Sequence, residues 1–499
     1  MILDQKNSLI YLKRLSLLIL GLGIFIRVAQ YISNRSLWGD EVMLALNLME
    51  RSYPELLQPL TLDQAAPPGF LYVQKFAMQT LGNNEYALRL FPLITGIISM
   101  IAFYQLGKWA VSAIALPIAL ALFAFLKFPL YYATEVKQYS SDVMIALLLC
   151  LLLIPLRDQV LPRGRSLLLG FVGAIAVWFS HPAVFVLAGI EAANLITLPK
   201  QRRKPIIINR LPAYFLWIVS FATLYFLITA NVMKNQSLQS AWGGEYPQTV
   251  FDLIWLLDSF GRVFYRPLGF SSPMDGVALI TFIIGCVAFF KKDRIKLLIL
   301  MSPVFVTLLA TYLHKYPFRG RLILFLAPFF ILVIAEGIAF LLIQLKQRKK
   351  VAIAGIVLAG LLLIPPLVRA GGFLIRPETK EEIRPVIEYV KTHQQPGDAI
   401  YVDAFNHFKY YAARYGYSPT DYIGGYQEFF NPKRNAYSKA AWQNLMRANN
   451  IQNGQRMWFV FVGVKQSEEA FVKARLDELG QQLDYYEQPG SSTYLYQLK

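Results

Sequence analysis

Runs of apolar residues recur along the first 370 positions, each close to the roughly 20 residues that span a bilayer as a helix, and short polar connections separate them. The pattern predicts spans at 14–33, 87–106, 110–126, 139–156, 167–181, 183–198, 212–231, 274–291, 295–313, 321–343 and 351–370. From residue 371 the pattern changes. "TKEEIRPVIEYVKTH" has a helical period, Pro396-Gly397-Asp398 marks a turn, and 399–403 reads as a strand followed by a helix. "RMWFVFVGV" reads as a buried strand, "SEEAFVKARLDELG" as a helix, and the last stretch as one or two strands. The expected architecture is a polytopic α-helical membrane domain over 1–370, with about 11 spans, and a soluble α/β domain over 371–499.

Composition agrees. The chain is 56% hydrophobic and 16% charged, whereas soluble domains average about a quarter charged. The net charge of +18 invites a nucleic-acid reading, but its distribution argues against one. Numbered alternately, one set of connections is short and basic. It holds Lys6, Lys13 and Arg14, then Lys108, then Arg157, Arg163 and Arg165. Lys200, Arg202, Arg203, Lys204 and Arg210 follow, then Lys291, Lys292, Arg294 and Lys296, and finally Lys346, Arg348, Lys349 and Lys350. The positive-inside rule makes that set cytoplasmic. The N-terminus is then inside, the first apolar run is an uncleaved span, and the tail lies outside. No nucleic-acid partner is expected. Cys150 and Cys286 both fall in apolar spans, and the four histidines form no metal-binding pair.

The outer connections carry the chemistry. The first, 34–86, contains "LWGDEVMLALNLMER", with Asp40 and Glu41 opening an amphipathic helical pattern. One reading is a helix N-cap, where acids suit the dipole. The other is a fixed, partly desolvated carboxylate serving as general base. The second connection, "YYATEVKQYSSD", places Glu135, Lys137, Tyr139 and Asp142 at a span mouth. Either the tyrosines form an interfacial belt with Glu135 and Lys137 solvated, or the acid and base belong to a site. The last, "HKYPFRGR", brings Arg319 and Arg321 to the outer side, where Arg262 and Arg266 of "GRVFYRP" add two more cations. Such arginines either snorkel or hold phosphate through guanidinium forks, and a cationic cluster at headgroup depth points to a phosphorylated lipid. Arg27, late in the first span, is a functional candidate by position. It either snorkels outward or pairs with Glu41 or Glu135. His181 in "FSHP" is a structural hydrogen-bonding group or a ligand contact.

In that order, "LWGDE", "PPGFLYVQKFAMQTLGNNEYALRLFPLITG", "YYATEVKQYSSD", "FSHP" and "YPFRGRLILFLAPFFILVIAEG" resemble the GT-C superfamily of membrane glycosyltransferases. The likeness is to the protein O-mannosyltransferase and aminoarabinose transferase group, over roughly residues 10–345. The resemblance implies transfer of a sugar from a polyprenyl-phosphate donor to a lipid, glycan or protein acceptor on the non-cytoplasmic side of the plasma or inner membrane. It implies Asp40 as base with Glu41 beside it, and Glu135, Lys137 and Tyr139 in the site. Arg319 and Arg321 hold the carrier phosphate, with Arg262 and Arg266 adding charge, and Arg27 and His181 are further candidate contacts. No cofactor follows from the sequence; a divalent ion beside Asp40 and Glu41 is compatible with the family. Two positions depart from the family pattern. Ala66 precedes Pro67-Pro68 where many relatives have His, and Lys137 replaces a usual Arg. A polyprenyl phosphate is already a good leaving group, so one carboxylate to deprotonate the acceptor and cations to hold the phosphate suffice. Direct displacement inverts the anomeric centre. The rival class, a transporter or lipid flippase, predicts broken helices and mid-span charges.

Overall fold

The fold was obtained as a computed structural model, which describes residues 2–230, 243–343, 349–425 and 439–499. The first part of the fourth outer connection, 232–242, and the basic Lys346 and Arg348 lie outside the described residues. The chain divides into two units: Met1–Ser33 with Arg51–Arg376, and Asn34–Glu50 with Pro377–Lys499.

The first unit is helical. Its helices are α1 (Ile2–Ile32), α3 (Pro68–Leu81), α4 (Glu85–Ala110), α5 (Ala115–Phe125), α6 (Lys127–Tyr131) and α7 (Tyr139–Leu153). Then come α8 (Arg163–Phe179), α9 (Ala183–Thr197), α10 (Lys200–Leu224), α11 (Leu253–Val263), α12 (Met274–Lys292), α13 (Arg294–Tyr312), α14 (Ala327–Ile343) and α15 (Lys349–Ile375). The second unit contributes α2 (Gly39–Glu50). Among the described residues, seven helices are long and apolar enough to cross a membrane, or eight if the pair 115–125 and 127–134, bent by 61°, is one span. The spans expected at 139–156, 167–181 and 183–198 are helices of 15, 17 and 15 residues, below the roughly 20 residues of a typical crossing.

Local chemistry sets these boundaries. Pro67 and Pro68 open α3 with φ already helical. Asn84 caps α4 by accepting from the Ala87 amide at 2.9 Å. α14 is apolar all round except for Glu336 and is buried from Ala327 to Ala339, the mark of a central helix. It packs on α12 through Gly285 and Gly337, where a Cβ would strike the backbone carbonyls of Val333 and Thr281. Two buried carboxylates tie helices together. Glu336 accepts from the Ser112 amide (2.8 Å), the Ser112 hydroxyl (2.9 Å) and Lys292 (2.9 Å). Glu191 accepts from Arg210 and from the Tyr214 hydroxyl.

The second unit is an α/β layer structure. It contains α16 (Ile383–His393), β1 (Ala399–Val402), α17 (Phe405–Ala412), β2 (Ile423–Gly424) and α18 (Lys439–Ala448). β3 (Arg456–Val462), α19 (Gln466–Leu479), β4 (Gly480–Gln488) and β5 (Ser491–Leu498) complete it. The sheet order is β2-β1-β3-β5-β4, with β1 parallel to β2 and β3 and the β3–β5–β4 strands antiparallel. β3 is buried along Met457–Val462 because helices cover both faces of the sheet. Trp442, Val472 and Leu476 join Tyr401 and Phe459 in one core, while Tyr389 of α16 meets Trp458 on the other face.

Candidate active site

In the second unit, Asp40 and Glu41 lie in the first turn of α2. The helix starts one residue before the expected cap. The Trp38 carbonyl accepts the Glu41 and Val42 amides at 2.8 and 3.0 Å, and the Glu41 carboxylate faces back to the Trp38 amide at 3.4 Å. Glu41 is fully buried, whereas Asp40 is half-buried.

In the first unit the site forms on the break after α5. α5 ends at Phe125, α6 runs 127–131, Tyr132–Thr134 form a 3₁₀ turn, and Glu135–Gln138 turn the chain into α7. The Lys137 amide donates to the Glu135 carbonyl at 2.7 Å, which tightens that turn. Glu135 is fully buried and Lys137 is 5% exposed. The solvated reading of these two charges is therefore corrected: the turn folds into the helix bundle, which buries them. Lys137 donates to Gln64.

Four rings run through this turn. Phe128 stacks on Tyr132 at 6.1 Å, Tyr131 meets Tyr132 edge-on at 5.3 Å, and Tyr132 meets Tyr139 at 4.9 Å. Cations sit at both ends. Lys127 and Arg266 lie over the Phe128 ring at 6.0 and 5.4 Å, and Arg321 lies over Tyr139 at 5.6 Å. A ring face attracts a cation through its quadrupole, so the strip gathers cations at both ends. Arg369 joins the Lys127 end by donating to the Gly269 carbonyl at 3.3 Å. Sequence reading missed Lys127 and Arg369; a lone lysine in "LFAFLKFPLYY" was the available signal.

The other two arginines differ. Arg319 pairs with Glu245 at 3.1 Å and Asp258 at 3.7 Å, and Arg262 pairs with Asp258 at 2.6 Å. Arg319 is balanced by acids distant in sequence, and Arg262 by one a helical turn before it. His314 stacks on Tyr246 at 5.0 Å and bonds the Pro247 carbonyl at 3.1 Å.

Arg27 does not snorkel. It is 1% exposed and donates to the carbonyls of Gly23 (2.9 Å), Phe123 (3.2 Å), Ala124 (3.3 Å) and Pro129 (3.4 Å). It closes the end of α5 beneath the ring strip. His181 lies between α8 and α9, and its Nε2 is buried without a hydrogen bond. Gln138 Oε1 and both polar atoms of Gln74 are likewise buried without a hydrogen bond, while the buried Asp142 carboxyl has the Ser180 hydroxyl as its neighbour. Each such group costs about 1–3 kcal/mol unless water or a ligand meets it. Gln74, Gln138 and Ser180 carry no distinctive sequence signal.

A divalent ion held by side chains alone needs several donors. Among the described residues, no three His, Cys, Asp or Glu side chains gather into a group able to hold one, so the chemistry below uses the chain's own groups.

The helical unit, broken after α5, and the α/β unit together have the fold of several solved structures. The similar solved structures are specific enzymes. The oligosaccharyltransferase AglB of Archaeoglobus fulgidus, in complex with an inhibitory peptide and a dolichol-phosphate, is 11% identical with a TM-score of 0.52 over 96% of this chain and 74% of that one. A second structure of the Archaeoglobus fulgidus oligosaccharyltransferase, with Zn and sulfate, is 10% identical with a TM-score of 0.54, covering 95% and 72%. Apo ArnT of Cupriavidus metallidurans is 11% identical with a TM-score of 0.50 over 99% and 98%. At these identities the likeness is one of fold. No protein-family model matches the chain, and no curated protein matches it in sequence.

Proposed function

We propose that this protein is an integral-membrane glycosyltransferase that takes a sugar from a polyprenyl-phosphate donor. The acceptor is a hydroxyl of a lipid, glycan or protein on the non-cytoplasmic side, with the N-terminus inside and the α/β unit outside. The observation that carries the reading is the ring strip Phe128–Tyr132–Tyr139, with Lys127 and Arg266 at one end and Arg321 at the other. Several cations gathered along aromatic rings in a helical unit suit the phosphate of a lipid carrier. The fold of AglB, whose structure holds a dolichol-phosphate, supports the same donor class.

The acceptor oxygen attacks the anomeric carbon and passes its proton to Asp40. The bond from that carbon to the phosphate oxygen breaks, and the polyprenyl phosphate leaves with the electron pair, its growing charge met by Arg321, Arg266 and Lys127. One displacement inverts the centre. Glu135, Tyr139 and His181 are proposed to face the sugar, and Arg319 and Arg262 to support the charge through their acid pairs.

The test is mass spectrometry of the polyprenyl-phosphate sugar pool in cells carrying wild type or Asp40→Asn. Asn preserves a helix start and removes the base. Accumulation of one species is expected, and its mass names the sugar. An unchanged pool with a folded, abundant variant refutes the reading and favours a transporter.

A further inference from the structure

Residues 34–39, which lead into the Asp40 helix, are held by side chains about 340 to 375 positions later in the chain. The Ser36 amide and hydroxyl donate to the two oxygens of Glu382 at 3.0 and 2.8 Å. Arg384 donates to the Ser36 hydroxyl at 3.1 Å and to the Asn34 carbonyl. The Leu37 amide donates to the Tyr411 hydroxyl at 2.8 Å. The Gly39 amide donates to Glu381 Oε2 at 2.6 Å, and His407 Nε2 meets the same oxygen at 2.8 Å. Lys380 lies 3.3 Å over the Trp38 ring. The holding residues are themselves anchored: the Glu382 amide donates to Pro489 at the β4–β5 turn, and α17 supplies both His407 and Tyr411.

Backbone amides outside a helix need partners, and loops usually find them nearby. Here the amides of 36, 37 and 39 and the carbonyl of 34 find theirs in the C-terminal region. Charge-assisted bonds of this kind fix geometry more tightly than neutral ones. The Gly39 amide is one residue from Asp40, so the Glu381 carboxylate sets where α2 begins and which way its first turn faces.

We infer that the C-terminal region is a positioning module for the proposed base, with Glu381, backed by His407 and Tyr411, as its principal positioning residue. The inference rests on the reading of Asp40 given above and extends it. A tail of this kind, whatever else it contacts, is required for turnover because the helix carrying the base is built into it. Misplacing a reacting group by about 1 Å can cost on the order of 100-fold in rate.

The experiment uses the full-length protein in nanodiscs. Turnover is measured as consumption of polyprenyl-phosphate sugars extracted from cells lacking this chain, with membranes of those cells as the acceptor source. Hydrogen exchange is followed in the 34–50 peptides. Glu381→Ala is expected to lower saturated turnover at least about 10-fold with half-saturation by donor within about threefold, and to speed exchange in 34–50 while 86–110 is unchanged. Glu381→Gln, whose single oxygen can still accept from both Gly39 and His407, is expected to recover turnover to within about threefold of wild type. Tyr411→Phe, which strands the Leu37 amide, shifts the same two readouts in the same direction and decides the matter if Glu381→Ala fails to fold. If Asp40→Asn is inactive while Glu381→Ala and Tyr411→Phe keep wild-type turnover and exchange, the positioning claim alone falls. It also falls if turnover drops only in step with unfolding of the whole chain, with no selective change in 34–50. If Asp40→Asn turns over like wild type, the reading of Asp40 falls and the positioning of a base falls with it.

Discussion

Replacing Arg27 with Met separates a structural arginine from a substrate-binding one. α5 stops at Phe125 because the chain bends by 61° into the next short helix. The Leu122 carbonyl is still served by the Leu126 amide at 2.9 Å, but those of Phe123 and Ala124 fall in the last turn, where an α-helix leaves acceptors unpaired. Arg27 supplies both donors, at 3.2 and 3.3 Å, and puts its positive charge at the negative end of the α5 dipole. The Gly23 bond lies within its own helix, and the Pro129 bond at 3.4 Å is long, so neither is counted. Two stranded carbonyls away from water at about 1.5–3 kcal/mol each give about 3–6 kcal/mol. Removing a buried charge returns part of that, leaving a net loss of about 3 kcal/mol for Arg27→Met, with Arg27→Lys recovering about half. Unfolding is read with a thiol-reactive dye in a Cys286→Ala background, so that the buried Cys150 is the reporter. The reasoning is refuted if Arg27→Met unfolds within about 1 °C of wild type while half-saturation by a polyprenyl phosphate weakens about tenfold. Arg27 is then a ligand group and the carbonyl contacts are incidental.

Gly285→Ala forces a methyl into the Val333 carbonyl, which backbone cannot yield, and is expected to cost about 1–3 kcal/mol by the same dye assay. Gly276→Ala on the same helix, where a Cβ meets nothing, is the control expected to be neutral or stabilising. Glu336→Ala strands the Ser112 amide and should cost about 2–3 kcal/mol, whereas Glu336→Gln keeps an oxygen for Ser112 and should cost less; equal losses would mean that the Lys292 pair dominates. In the α/β unit, burial first, then neighbouring carboxylates, push the Tyr485 and Tyr496 phenols above their usual value of 10. Burial and the charge of Asp421 raise Tyr417 likewise. A raised folded value means the unfolded chain releases its protons first, so this stability is intact below pH ~10 and is lost as pH climbs beyond it. Tyrosinate absorbance rising together with loss of sheet circular dichroism checks this, and an ordinary titration with the sheet intact would contradict it.

The elements that sequence reading located are those with a period. α4, α12, α13 and the 320–343 span announce themselves as apolar runs. The tail strands at 399–402 and 456–462 stand out as short buried runs between polar turns. Asp40 and Glu41 were visible because acids opening a helical pattern are a local signal. What stayed hidden is pairing across long separations. Nothing in "FRGR" indicates that Arg319 is balanced by Glu245 and Asp258 while Arg321 rests on Tyr139. Nothing in "SLWGDE" indicates Glu381, Glu382 and Tyr411. Arg27 was legible as an unusual residue in a span, but its partners are main-chain carbonyls exposed by a helix break whose bend composition does not reveal.

The difference between the two pairs of arginines, Arg262 and Arg319 against Arg266 and Arg321, bears on how the proposed site attracts a phosphate. A guanidinium paired with a carboxylate at 2.6–3.7 Å, as in Arg262 and Arg319, has its field largely cancelled within a few ångströms, and an incoming phosphate must displace or share the acid. A guanidinium over a ring gains part of the same stabilisation from the quadrupole and keeps its net charge. Where water is scarce the effective dielectric falls and that remaining charge acts more strongly. On the proposed reaction, Arg266 and Lys127 at Phe128 and Arg321 at Tyr139 are the ring-held cations offered to the leaving phosphate, although the sequence treats all four arginines alike. The aromatic strip thus fixes these cations against rings that are themselves packed into the break after α5.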